Sequence, residues 1–274
     1  MHPLIRIGSF TLYSYGLTLV IAVLFGILVG FTRARRFGLP PDRVRDVMLY
    51  SLLAGLLGAR LHGFLLSWNP QLDLVSQLFR AYTSGGTVQG GLIAAILVAV
   101  LYMRRHGLSV WLLGDAAVPG MLLAQAVGRT GCFMAGCCYG KPTDLPWGVT
   151  FHNPAAALLA GTPLGVPLHP TQLYEAGADL GIALLLLATE KKGRYFIGRT
   201  FWLYALLYSI ARCVIEFYRD HRGRTSLAGL SSGQIISIVV ALLAMVMLVR
   251  LSRRSAMPES TAELVPAQEA QQSS

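Results

Sequence analysis

Charge is scarce in this chain. Only 13% of its 274 residues are charged and 54% are hydrophobic, with a mean hydropathy of +0.56, whereas a soluble domain carries about a quarter charged residues. That shortage excludes an ordinary soluble globular domain. It also removes nucleic acid as the meaning of the +10 net charge, because a basic stripe on a soluble face needs far more polar sequence around it. No small-residue cleavage pattern accompanies the first apolar run, which begins near Thr11 behind a short, mildly basic start and is long enough to remain as a span. Cysteine is sparse. Cys132, Cys137 and Cys138 are close in sequence and Cys213 lies far away, and the adjacent pair fits the spacing of a zinc site poorly, so no metal is expected. A disulfide from Cys132 to Cys137 or Cys138, and free thiols packed as small residues, are the two readings that stay open. No convincing repeat relates the two halves, which argues against a transporter.

What is present is a series of apolar runs near the 20 residues that cross a bilayer. They predict an all-α, polytopic membrane protein with about seven spans over residues 12–32, 47–66, 87–103, 112–128, 171–189, 199–217 and 233–250, and an outer-face loop region. Residues 1–254 form one membrane-embedded domain in this reading. The 255–274 segment, rich in Ser, Ala, Glu and Gln, reads as a disordered cytoplasmic tail. Gly26, Gly30, Gly55 and Gly58 fall inside spans at spacings that let helix backbones approach closely.

Loop charge predicts orientation. Arg33, Arg35, Arg36, Arg43 and Arg45 follow the first span, Arg104 and Arg105 the third, and Lys191, Lys192, Arg194 and Arg199 the fifth, while Arg250, Arg253 and Arg254 end the seventh. These ends belong on the cytoplasmic side, which places the N-terminus outside and the C-terminus inside. The opposite loops hold fewer cations: Arg80, then Arg129 and Lys141. Arg219, Arg222 and Arg224 break the rule, and two readings stand: anionic lipid headgroups bind them, or Glu216 and Asp220 neutralise them locally.

Arg129 is the most costly residue in this pattern. It closes the apolar stretch 112–128 and opens the run Gly128-Arg129-Thr130-Gly131-Cys132-Phe133. An unpaired guanidinium in hydrocarbon costs a few kcal/mol at the least, so an arginine at a span's edge snorkels or meets an anion. Arg212 interrupts another apolar run with Glu216 one helical turn on. If the two arginines share one depth they form a cationic pocket suited to a phosphate. The 129–170 segment exceeds an ordinary connection, so it is expected to carry function or a small structure of its own. Trp147, Phe151 and residues 155–160 suit the membrane interface. In His169-Pro170-Thr171-Gln172-Leu173-Tyr174-Glu175, Pro170 suits a first helical turn and Glu175 can satisfy free amides there, but the polar density exceeds what capping requires.

Taken together these pieces resemble the prolipoprotein diacylglyceryl transferases, bacterial inner-membrane enzymes with seven spans. The matching residues are Tyr15-Gly16, Gly58-Ala59-Arg60, Gly90-Gly91-Leu92-Ile93, Gly128-Arg129-x-Gly131-x-Phe133 with Gly136 and Gly140, His169 through Glu175, Arg212-x-x-x-Glu216-Phe217-x-Arg219, and Gly233-Gln234. They follow family order over nearly the whole chain. The resemblance implies transfer of the sn-1,2-diacylglyceryl group from phosphatidylglycerol to the lipobox cysteine of a prolipoprotein signal peptide, with glycerol 1-phosphate released and no cofactor, metal or nucleic acid involved. By the same resemblance Arg129 and Arg212 are catalytic, Arg129 holds the lipid phosphate, Glu216 orients Arg212, and Tyr15, Arg60 and Gln89 face the same substrate cavity among membrane lipids. Two departures stand out. Gln89 occupies the place of a family histidine proposed to assist thiol deprotonation, and Cys132 and Cys137 replace the usual Asn and Glu. Gln89 cannot titrate. His62 and His169 are the candidate substitutes for a proton acceptor, set against the reading that a solitary histidine near a helix end is more often structural, and nearby arginines lower a thiol's pKa in any case. The rival from another class is a non-catalytic phospholipid-binding membrane protein or a transporter.

Overall fold

Helix ends in this chain are set by capping chemistry as much as by hydropathy. The computed structural model describes residues 4–7, 10–69, 73, 75, 76, 79, 86–190, 196–220 and 229–255. Arg80, Lys191, Lys192, Arg194, Arg222, Arg224 and the tail from 256 onward, which carry part of the orientation and tail expectations, lie outside the described residues. A hairpin of β1 (Leu4–Ile7) and β2 (Phe10–Tyr13), with Leu4 opposite Tyr13, leads into α1 (Ser14–Arg36). Next come α2 (Pro41–Leu66), α3 (Val88–Arg105) and α4 (Val110–Ala135). A small module follows, with β3 (Val149–Thr150) antiparallel to β4 (Pro167–Leu168) and α5 (Pro154–Ala160) between them. Three long helices complete the described residues: α6 (Thr171–Glu190), α7 (Arg199–Glu216) and α8 (Ser232–Ser255).

Each expected span coincides with a long helix, and two ends differ most. α2 starts at Pro41 rather than near residue 47, because a proline in the first turn is pre-set for a helix and lacks only an amide that would be unpaired there. α4 continues to Ala135 and stops at Gly136, whose φ of +79° suits glycine. Arg129 is therefore inside a helix, not at its end.

Among the described residues, five helices are long and apolar enough to cross a membrane: Tyr15–Arg36, Pro41–Leu66, Val88–Arg105, Val110–Ala135 and Ser232–Arg253. Apolarity thus supports five spans, not seven. α6 and α7 fall short because α6 carries Gln172, Glu175 and Asp179, and α7 carries Arg212 and Glu216. Burial is inverted relative to a soluble protein. Leu57, Leu66 and Ile93 are 65–72% exposed whereas Asp115, Asp179 and Thr171 are fully buried. Such a distribution suits a lipid surround, in which polar groups must find partners inside the bundle.

The bundle pairs α1 with α4, α2 with α3, α6 with α4 and α7, and α7 with α8. Glycines set the closest approaches, as expected for Gly26 and Gly58. A Cβ on Gly90 would collide with the His62 side chain and stand 2.5 Å from the Gly58 carbonyl oxygen, and one on Gly120 would stand 2.7 Å from the Gly26 oxygen. Gly90→Ala should therefore cost about 1–3 kcal/mol by overpacking. It should lower the thermal unfolding temperature in detergent. Gly177→Ala, where a Cβ meets nothing within 4 Å, should leave that temperature unchanged or raise it.

A polar anchor fixes one end of this arrangement. Asp115 of α4 accepts hydrogen bonds from the Gly198 and Phe201 amides at the start of α7, at 2.6 and 2.8 Å. Arg33 donates to the Ala116 carbonyl at 3.1 Å and, through one nitrogen, to both Glu190 oxygens at 2.8 and 3.0 Å. Arg33 is thus a buried tie rather than the loop cation expected. Arg129 lies fourteen residues beyond Asp115 on α4, about 21 Å along the helix axis.

Candidate functional site

At the far end of α4, three arginines from different segments meet two carboxylates. Arg129 (α4), Arg212 (α7) and Arg219, just past α7, all reach Glu175 in the first turns of α6. Arg129 pairs with its Oε2, while Arg212 and Arg219 contact Oε1 at 3.3 and 2.8 Å. Arg212 also pairs with Glu216 Oε2 at 2.6 Å, and Arg219 approaches the same oxygen at 4.0 Å. The carboxylates are nearly inaccessible, whereas each arginine side chain remains about a fifth exposed. Coulomb attraction between partly desolvated charges is several times stronger than in water, so the cluster is a rigid cationic face with spare N–H donors.

Glu216 is held in turn by the start of α8. Ser231 and Gln234 form a reciprocal cap: the Gln234 amide donates to Ser231 Oγ at 3.1 Å and the Ser231 amide to Gln234 Oε1 at 2.9 Å. Ser231 Oγ–H then donates to Glu216 Oε1 at 2.8 Å. Gly233 gives the carboxylate room, since a Cβ there would stand 2.5 Å from Glu216 Oε1. The positive end of the α8 dipole adds to the fit.

The loop beyond α4 is clamped against the same cluster. Thr171 Oγ1 donates to the Cys138 carbonyl at 2.8 Å and Gln172 Nε2 to the Cys137 carbonyl at 2.6 Å. The Gly140 amide donates to the His169 carbonyl at 2.9 Å and the Lys141 amide to that of Tyr218 at 2.8 Å. Behind it, Tyr139, Phe151 and Leu168 make a small buried core. The 129–170 segment does carry its own structure, and Phe151, expected at the membrane interface, belongs to that core, while Trp147 and Leu158 remain exposed. Trp147 Nε1 donates to Tyr174 OH at 2.8 Å, and that hydroxyl lies 3.1 Å from His169 Nδ1. His169 packs edge-on against Tyr218 with centroids 5.0 Å apart. Asp179, one turn beyond Glu175, is fully buried and accepts from Gln125 Nε2 at 3.4 Å; the same nitrogen donates to Tyr208 OH at 2.9 Å.

The thiols of Cys132, Cys137 and Cys138 gather beside the arginines, all three sulfurs lying within 4.8 Å of one another. Hydrogen bonds from the Cys132 and Cys137 thiols hold the Cys138 thiol below its ordinary range, helped by Arg219 and Arg129 and opposed by burial. Cys137 is pushed up by hydrogen bonding to Cys132 and Cys138 and by burial. All are free cysteines, so of the two readings left open the structure has unpaired thiols.

Of the residues singled out in the sequence, Arg129, Arg212 and Glu216 come together, and Tyr15 at the start of α1 lies within electrostatic reach of Arg129 and the three thiols. Arg60 and Gln89 are exposed on the α2–α3 pair. His62 Nδ1 lies 2.7 Å from Thr87 Oγ1 and ties α2 to the start of α3. Arg219 has the local neutralisation considered for its cluster, from Glu175 and Glu216. Sequence reasoning missed Glu175 as the hub. It assigned that side chain to helix capping, although the excess polarity of the 169–175 segment was the available signal.

The model of the prolipoprotein diacylglyceryl transferase family matches residues 2–250. The phosphatidylglycerol–prolipoprotein diacylglyceryl transferase of Clostridium tetani is 33% identical over 240 residues, 87% of this chain and 93% of its own length. One from Clostridium perfringens, numbered 2, is 34% identical over 86% of this chain and 89% of its own. That of Clostridioides difficile is 31% identical over 90% and 96%. With a family match over almost its whole length and relatives above 30% identity, the chain belongs to the prolipoprotein diacylglyceryl transferase family.

Proposed function

We propose that the arginine cluster binds the phosphate of phosphatidylglycerol and that the protein transfers the sn-1,2-diacylglyceryl group to the lipobox cysteine of a prolipoprotein signal peptide. Membership of the family makes the chain a multi-pass bacterial membrane protein and a transferase of lipoprotein maturation; in this reading its membrane-embedded unit covers residues 1–254. The convergence of Arg129, Arg212 and Arg219 on Glu175 is the observation that carries the reading. Guanidinium forks match phosphate oxygens in pairs, and their partly exposed edges leave donors for a lipid headgroup. Tyr15, Arg60 and Gln89 are assigned to the substrate cavity, Tyr15 on its proximity to Arg129.

The reaction is a displacement at carbon. The thiol loses its proton, sulfur attacks the glycerol carbon that bears the phosphate ester, the S–C bond forms and the C–O bond breaks. The electron pair leaves on the oxygen of glycerol 1-phosphate. Fixed positive charge at that oxygen lowers the barrier because the cluster is arranged before reaction. Glu216 keeps Arg212 in place for this role. Loop charge supports a cluster at the outer leaflet, with the N-terminus outside and the C-terminus in the cytoplasm.

The test is purified protein with phosphatidylglycerol vesicles and a lipobox peptide, following glycerol phosphate release. Release that depends on the peptide's cysteine supports the reading. Lipid binding without release favours a non-catalytic lipid-binding protein instead. In the same assay Gln89→His should keep or raise activity, since it adds a titratable group where family members carry one. Complete loss in that variant would mean the proton is handled by other residues around a rebuilt site.

A further inference from the structure

The three clustered thiols are the feature that the reaction above leaves unused. Adjacent cysteines in regular structure point apart, which is why Cys137-Cys138 fits a metal site poorly by spacing alone. Here the backbone turns them together. Gly136 and Cys138 both have positive φ, +79° and +60°, and Cys138 is the only non-glycine among the described residues to do so. That conformation is costly for a side-chain-bearing residue and persists only when its surroundings enforce it. The enforcing groups are Thr171 and Gln172, which hold the carbonyls of Cys138 and Cys137. Cys132 joins them from the last turn of α4.

We propose that Cys132, Cys137 and Cys138 bind a zinc ion as three thiolates, leaving its fourth position open for the thiol of the acceptor peptide. Thiolates around a tetrahedral zinc, each at about 2.3 Å, stand about 3.8 Å from one another, so sulfurs already within 4.8 Å need only small movements. Structural zinc sites have four protein ligands, whereas reactive ones have three and an open position. Among the described residues the group contains no fourth His, Cys, Asp or Glu. Three thiolates on a divalent ion carry one net negative charge, and Arg129 and Arg219 lie close enough to balance it.

This site rests on the proposed transfer reaction, because it places a thiol-seeking ion beside the lipid phosphate. An incoming thiol displaces water from zinc, gives its proton to solvent and binds as thiolate, since coordination deprotonates a thiol outright. Its sulfur then attacks the glyceryl carbon, the C–O bond breaks toward the phosphate, and the neutral thioether leaves the metal. Zinc changes neither charge nor oxidation state. The metal thereby performs the deprotonation that Gln89 cannot.

The experiment uses the full-length protein in detergent. Elemental analysis after zinc loading and dialysis should give about one zinc per chain, lost in Cys138→Ser and in Cys132→Ser. In a second measurement that needs no variant, cobalt(II) replaces zinc in the native chain. Its visible spectrum should show sulfur-to-cobalt charge transfer that intensifies with the lipobox peptide and not with the serine version of that peptide. Transfer should stop on chelation and return with zinc. Absence of bound metal, a disulfide among the three cysteines, a cobalt spectrum blind to the peptide thiol, or undiminished transfer after complete chelation each overturns the proposal. Transfer that survives metal removal leaves the transferase reading standing while the zinc site falls. Metal and thiol binding without any transfer would sink the transferase reading and, with it, the metal's role in the displacement.

Discussion

Arg129→Ala should lower lipid transfer by at least about 10²–10³-fold, the loss seen when one preorganised donor to a developing negative charge is removed. The protein should remain inserted and helical. The reason lies in how the cluster is wired: without Arg129, Glu175 still has Arg212 and Arg219 as partners, so no buried carboxylate is left alone. The lost side chain is also partly exposed, which limits the packing cost. Arg129→Lys separates charge from geometry, because lysine keeps the point charge and loses the planar fork; it should fall between alanine and the native residue. Glycerol phosphate release from vesicles measures the rate, and circular dichroism of the same preparations checks the helices. Native activity in the alanine variant would remove Arg129 from the site.

Much of this was legible in the residues, and the physical reasons for the rest are specific. Seven long helices were readable from largely apolar runs near 20 residues, which have few alternatives in lipid, although only five of them are apolar enough to count as spans by that measure alone. The depth of Arg129 was not, since the two turns after it, Thr130 to Ala135, contain small and sulfur-bearing residues that signal neither helix nor loop. Only the left-handed Gly136 ends α4. Arg33 looked like a cytoplasmic loop cation, and its pairing with Glu190 across the bundle is a long-range contact that local pattern cannot supply. The Arg212–Glu216 pair was visible because it spans one helical turn. Glu175 was not recognised as its companion because an acidic residue near a helix start already has a sufficient local explanation. The thiol cluster was hidden for a similar reason. Spacing rules assume ordinary backbone, and the positive φ of Cys138 departs from it.

Glu175→Gln should have the largest effect on stability of any single change at the site. The substitution preserves size while removing the charge that three guanidinium groups share. Breaking a buried ion pair by deleting one partner costs about 3–5 kcal/mol. The lower end is expected here because each arginine is about a fifth exposed and water relieves part of the repulsion. The thermal unfolding temperature in detergent should therefore drop. The same loss frees the arginines, so added inorganic phosphate should bind the variant more tightly than the native protein. A ligand that binds only the folded state stabilises it in proportion to the logarithm of its concentration over its dissociation constant, and phosphate should restore much of the lost temperature. Glu175→Asp, one methylene shorter, keeps the charge but cannot reach three partners from two helices and a loop, and should be intermediate in both respects. A Glu175→Gln protein that melts like the native one and ignores phosphate would mean that the arginines are held apart by their own backbones. Glu175 would then be an adjunct to the anion site, not the group that competes with the lipid for it.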